Sequence, residues 1–116
     1  MLMIRKEQMN VFGDYMLRKF KDRMERHLRS TFPKRAGDMT VSALLALIDD
    51  GIEKAAGYDI ILEDDVRTFL EYMMSYSPDF DSSHKTPWAG EILSQDIPGP
   101  IKMVHLKKTA PIKMEV

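Results

Sequence analysis

The stretch SPDFDSSHKTPW, residues 77–88, concentrates the side chains of this chain that are equipped for chemistry. Asp79, Asp81, Ser82, Ser83, His84 and Thr86 fall within it, and it closes on the one tryptophan, Trp88. A hard cation is the first chemistry to weigh. Asp79, Asp81 and Ser83 stand at positions 1, 3 and 5 of an EF-hand-like loop. Such a loop needs a glycine at position 6 for its sharp turn and a bidentate glutamate at position 12. His84 and Gly90 hold those places, Glu91 arrives one residue late, and Pro87 at position 9 brings no side-chain oxygen. The spacing argues against calcium.

Hydrolysis is the second chemistry. Asp79 or Asp81 with His84 and a serine would supply a base and a nucleophile. The three histidines, His27, His84 and His105, lie in different segments, and none belongs to an HExxH pattern. The chain has no G-x-S-x-G elbow, no P-loop and no G-x-G-x-x-G. The pairs Asp49–Asp50 and Asp64–Asp65 are adjacent, so on a helix they point to different sides. With no cysteine there is no thiolate nucleophile, no cysteine-ligated zinc and no disulfide framework. The expectation is a chain that is not an enzyme and uses no cofactor or metal. A small metal-dependent hydrolase centred on Asp79, Asp81 and His84 is kept as an alternative. In the simpler reading Asp79 and Asp81 bond local backbone amides to set a turn. Thr86 then caps the next helix, with Pro87 at its first position.

The elements that hold this loop are helical. From Ile4 to about Phe32, apolar residues recur as Val11, Phe12, Tyr15, Met16, Phe20, Met24 and Leu28, one stripe down a helix. Arg18, Lys19, Lys21, Arg23, Arg26 and Arg29 mostly fall off that stripe, and Pro33 ends the run. After the loop PKRAGDM, Asp38 or Thr40 caps a second helix, VSALLALIDDGIEKAAG. Its buried face is Leu44, Leu45, Leu47, Ile48, Ile52 and Ala55, and Gly57 is expected as a left-handed C-terminal cap. YDII reads as an extended connector. A third helix starts near Glu63, with carboxylates in its first turn, where the helix dipole favours them. It buries Val66, Phe69, Leu70, Met73 and Met74. A short fourth helix runs from Pro87 to about Ser94, and DIPGP breaks it. From Ile101 to Leu106 apolar and polar residues alternate, which suits a strand or an extended arm. The expected architecture is a single all-α domain of about four helices over residues 1–96, followed by an extended basic C-terminal arm over 97–116. The first helix should pack antiparallel to the second or third around Phe12, Phe20, Leu45, Ile48, Phe69 and Leu70.

Composition is that of an ordinary globular domain, 116 residues with 44% hydrophobic and 30% charged. No run is long and apolar enough to span a bilayer, and the start MLMIRKEQMN lacks the apolar core of a secretory signal. A cytoplasmic protein is expected. The net charge of −1 conceals a segregation. Residues 1–35 carry ten Lys/Arg against four Asp/Glu, residues 36–96 three against thirteen, and residues 97–116 four against one. The basic end is therefore suited either to fold against the acidic middle or to meet an acidic partner. Nucleic-acid binding is disfavoured by the acidic middle and a pI of about 6.3.

Three segments, IRKEQMNVF, GIEKAAGYDI…EDDVRTFLEYM and SPDFDSSHKTPWAGEIL, resemble a small all-helical protein family. That family is associated with bacterial gene clusters for type VI secretion and polymorphic toxins. The resemblance spans roughly residues 4 to 95. It rests on glycine plus aromatic before the third helix, an Asp-Phe-Asp loop, and Pro-Trp-Ala opening the last helix. Ile61-Leu62 stands where a Thr or Ser cap is expected. The resemblance carries over no catalytic residues. It implies a non-catalytic interaction protein, an accessory adaptor or chaperone for a secretion effector or toxin, with an immunity protein as the alternative. The residues expected to meet the protein partner are Trp88, Asp79, Asp81, Met103 and Lys107. Trp88 is the anchor for such a partner, since tryptophan is enriched at interface hot spots; the alternative is that it packs the last helix onto the third. Met103 and Met114 are contact residues of the tail, and the Met-rich first helix offers a surface for a homodimer.

Overall fold

Three- and four-residue apolar spacing closes into helices along most of the chain, and their ends follow local chemistry. The computed structural model describes residues 11–113, with side chains from Tyr15 onward; Ile4, Met9, Met114 and the side chains of Val11 and Phe12 lie outside that description. Within it run α1 (Val11–Thr31), α2 (Pro33–Gly37), α3 (Val41–Gly57), α4 (Glu63–Ser75), α5 (Pro87–Leu93) and α6 (Gly99–Thr109). No helix among the described residues is long and apolar enough to cross a membrane.

The all-α class is as expected, but the described helices number six rather than about four. The stretch PKRAG is one helical turn opened by Pro33, not a loop. Residues 99–109, expected as part of an extended arm, form α6. Among the described residues, the short segment after α6 is not helical, and it is fastened to α4. The Tyr72 hydroxyl donates to Ala110 O at 2.7 Å, the Tyr76 hydroxyl to Pro111 O at 2.9 Å, and Lys113 N donates to Ser75 Oγ at 2.6 Å.

Thr40 caps α3, its hydroxyl accepting from Ala43 N at 3.0 Å. The other end of α3 corrects the sequence expectation. Gly57 is still helical, and the left-handed residue is Asp59, with φ of 65°. Asp59 N bonds Ala56 O at 3.0 Å and Ile60 N bonds Ala55 O at 2.8 Å, which is the Schellman arrangement. It turns the chain so that Ile60 enters the core fully buried. α4 begins at Glu63 with three carboxylates in its first turn. Leu62 takes the N-cap position and offers no side-chain bond there.

The core joins Phe20, Met24 and Leu28 of α1, Leu44, Ile48 and Ile52 of α3, and Val66, Phe69, Leu70 and Met73 of α4. Leu45 and Leu47 are only partly buried against it, and Tyr15 is 53% exposed rather than part of the stripe. α1 lies against α3 in the antiparallel sense. Lys21 pairs with Asp49 at 2.7 Å, and Arg29, eight residues on, donates to Met39 O at 2.9 Å just before α3. Against α4 the sense is parallel, with Arg23 bonded to Glu63 and His27 Nε2 to Glu71 Oε2 at 2.6 Å. The basic first helix is thus partly neutralised by the acidic middle of the same chain.

Candidate functional site

The loop between α4 and α5 is built around Phe80. Its ring is fully buried between Phe69 and Tyr72, at centroid separations of 5.0 and 5.5 Å. An apolar anchor in the middle of a polar loop fixes where its neighbours point. Ser82 N and Ser83 N both bond Asp79 O at 2.9 Å, and Thr86 N bonds Ser83 O at 3.2 Å. Thr86 sits at the N-cap position of α5 but does not cap it with its side chain. Its buried hydroxyl instead donates to Phe80 O at 2.6 Å, pinning the loop to itself. Thr86→Val keeps the shape and leaves that carbonyl without its donor. A loss of about 1–3 kcal/mol is expected in urea unfolding, and less for Thr86→Ser, which retains the hydroxyl.

The two aspartates diverge. Asp79 is exposed, and its carboxylate accepts from the Ser77 hydroxyl at 2.7 Å; that bond holds its carboxyl below the ordinary range. Asp81 is only 6% exposed and does not set a local turn with its side chain. Its Oδ2 accepts from the Tyr58 hydroxyl at 2.8 Å, while Oδ1 is buried with no hydrogen bond and faces Lys54 Nζ at 3.6 Å. Lys54 also reaches Pro78 O at 3.0 Å and Asp50 at 3.3 Å. Tyr58 O in turn accepts from Lys102 Nζ at 3.0 Å, a lysine of α6 that is 7% exposed. Lys54, Tyr58, Asp81 and Lys102 form one polar joint between α3, the loop and α6. The ammonium of Lys102 on the C-terminal end of α3 is also where the helix dipole favours a cation.

This joint has a pH signature. Burial, then the bond and charge of Asp81, push the Tyr58 hydroxyl up to about 12. Burial and then Tyr76 push Tyr72 to about 12 as well. A group whose folded pKa is raised stabilises the fold below its unfolded value, near 10. That contribution drains away as the pH climbs from 10 through 12, because the unfolded chain gives up its proton first. Stability is expected to fall over that window, with tyrosinate absorbance of these two groups rising late in the native protein. Native absorbance complete by pH 10 would contradict the assignment.

The five residues expected at a partner surface are scattered by the fold. Asp79 and Lys107 are exposed. Lys107 stands near Asp65, whose carboxyl is raised by burial and pulled back by that ammonium. Trp88 is half-buried, edge-on to Tyr76 at 5.2 Å and tilted to Tyr72 at 6.2 Å, so much of it is packing of α5 onto α4. Asp81 is consumed in the joint just described. Met103 is fully buried on the inner side of α6 and presents nothing to an outside partner. His84 of the alternative hydrolase constellation is exposed, while Asp81 turns inward to Tyr58. Among the described residues no three His, Asp or Glu side chains gather to hold a metal ion.

A different surface stands out in the structure. Tyr15, Arg18, Lys19, Asp22 and Arg26 line the outer face of α1 and are exposed. Met16, Lys19, Asp22, Arg23 and Arg26 border a cleft of about 450 Å³. Lys19 Nζ lies over the Tyr15 ring at 5.0 Å. The helical wheel holds the signal for this face, since residues 18, 19, 22 and 26 lie opposite Phe20, Met24 and Leu28.

No protein-family model, no curated protein and no solved structure matches the chain.

Proposed function

We propose that the chain is a non-catalytic interaction protein of the cytoplasm, an accessory adaptor or chaperone that holds an effector or toxin of a type VI secretion system. The observation that carries the non-catalytic part is the inward turn of Asp81. A carboxylate that the hydrolase reading needs is instead bonded to Tyr58 and faces Lys54, where it joins α3 to the loop. The secretion role rests on the resemblance of segments 4–95 to that protein family. Partner recognition would combine burial of an apolar contact with charge complementarity, which fixes orientation and association rate. Asp79, Lys107 and the free edge of Trp88 remain the contacts to test at the loop and α6.

The test is affinity capture of the tagged chain from its native host, read by mass spectrometry. One specific protein, encoded near this chain's gene and lost with Trp88→Ala or Lys107→Glu, is the expected outcome. Capture of no specific protein sinks the proposal. Stoichiometric metal in the purified protein, lost with Asp81→Ala while the helical signal persists, would shift the reading to the metal-dependent hydrolase.

A further inference from the structure

We infer that the outer face of α1 is a docking surface for an acidic, amphipathic helix of a protein partner, an inference that rests on the interaction reading above. The fold has paired some cations of α1 and left others. Lys21, Arg23 and Arg29 are committed to Asp49, Glu63 and Glu25. Arg18, Lys19 and Arg26 make no ion pair among the described residues. Arg18 and Arg26 are eight residues apart on one face, a span of about 12 Å along the axis. That span is two helical turns, so a partner helix can set carboxylates at i and i+7 against the two guanidiniums and keep its middle clear of Asp22. The cleft beside them is lined by both kinds of group, the thioether of Met16 and the charges of Lys19, Asp22 and Arg26. Methionine adapts to an irregular apolar side chain, and exposed Tyr15 extends the apolar border.

Charge complementarity selects a short acidic polypeptide over a nucleic acid. Asp22 lies in the middle of the face, where a phosphate backbone would have to pass. Asp49 of α3 also lies close enough to α1 to pair with Lys21, so the flank of the helix carries opposing charge. A binding face for nucleic acid needs clustered cations with little opposing charge. A two-turn helix with an acidic stripe and a few leucines meets the cations and the cleft.

The experiment uses fluorescence anisotropy with a labelled synthetic helix of glutamate and leucine, its leucines on one face. A peptide of the same composition in scrambled order, a lysine–leucine peptide and a single-stranded oligonucleotide serve as comparisons. The glutamate–leucine helix should saturate the full chain, weaken as salt is raised, and bind better than all three comparisons. R18E/R26E should weaken it at least about tenfold, because each reversal turns an attraction into a repulsion. These two side chains make no ion pair among the described residues, so the melting temperature should stay put. Lys108→Glu, exposed on α6, should leave binding unchanged. Equal binding by R18E/R26E, or tighter binding of the oligonucleotide, overturns the inference. Capture from the host separates the two proposals. A partner recovered equally by wild type and R18E/R26E removes the α1 surface and keeps the interaction role. An empty capture with reversal-sensitive peptide binding does the opposite.

Discussion

Phe80→Ala is expected to destabilise the protein by about 3–5 kcal/mol, the range for emptying a buried aromatic site. Phe80 is fully buried, and its removal leaves a cavity against the rigid face of α4. Its ring is shared between Phe69 and Tyr72, and Tyr72 in turn stacks on Tyr76, which meets Trp88. Removing one ring therefore loosens a chain of contacts that fixes α5 on α4. For a domain of this size the melting temperature should drop by roughly 10–20 °C. Thermal unfolding followed by far-UV circular dichroism checks it. A drop of only a few degrees would mean that the loop does not depend on its aromatic anchor.

Gly99→Ala is the second large effect, and its sign is informative. Alanine is a better helix residue than glycine by about 1 kcal/mol, so an unobstructed site would gain. At Gly99 an added Cβ would overlap the carbonyl oxygen of Asp59 and lie 2.7 Å from its carbonyl carbon. Backbone cannot rotate aside, so α6 must back away from the end of α3. That shift stretches the bond from Lys102 to Tyr58 O and the ties from α4 to residues 110–113. A net loss of about 1–3 kcal/mol is expected from overpacking. Gly57→Ala is the control, since nothing lies within 4 Å of its would-be Cβ. It should stabilise by about 0.5–1 kcal/mol. Hydrogen exchange should show the loosened region of Gly99→Ala confined to α6 and the segment after it. If both alanines stabilise, the close approach of α6 to Asp59 is not there.

The elements whose buried faces carry an unbroken apolar stripe are legible in the sequence. α3 and α4 show it, with Leu44, Ile48 and Ile52 on one and Val66, Phe69, Leu70 and Met73 on the other. α6 is not, and Lys102 is the reason. The inner face of α6 is Gly99, Lys102, Met103 and Leu106, a helical set in which one member is charged and another has no side chain. Counted as polar and as a breaker, these two leave the short alternation Ile101-Lys102-Met103, which reads as extended. The charge is tolerated inside because Tyr58 O receives it, a partner forty-four positions away. Asp81 hides for the same reason. Its partner Tyr58 lies twenty-three residues earlier, so a local reading assigns it to the turn. Asp59 takes the left-handed position expected of Gly57 because Ile60, one residue later, has to reach the core. The outer face of α1 is legible as cations off the apolar stripe. Which of them stay uncommitted is not, because that depends on where Asp49, Glu63 and Glu71 come to lie.

The segment that closes over α4 has a consequence for the newborn chain. Tyr72 waits for Ala110, thirty-eight residues further on. At about 5–20 residues per second, a ribosome delivers that residue roughly 2–8 s after the tyrosine itself. Throughout that interval Tyr72 and Tyr76 lack their acceptors and α6 does not yet cover the end of α3. The aromatic flank of α4 therefore cannot be fastened until α6 and the segment after it have been made.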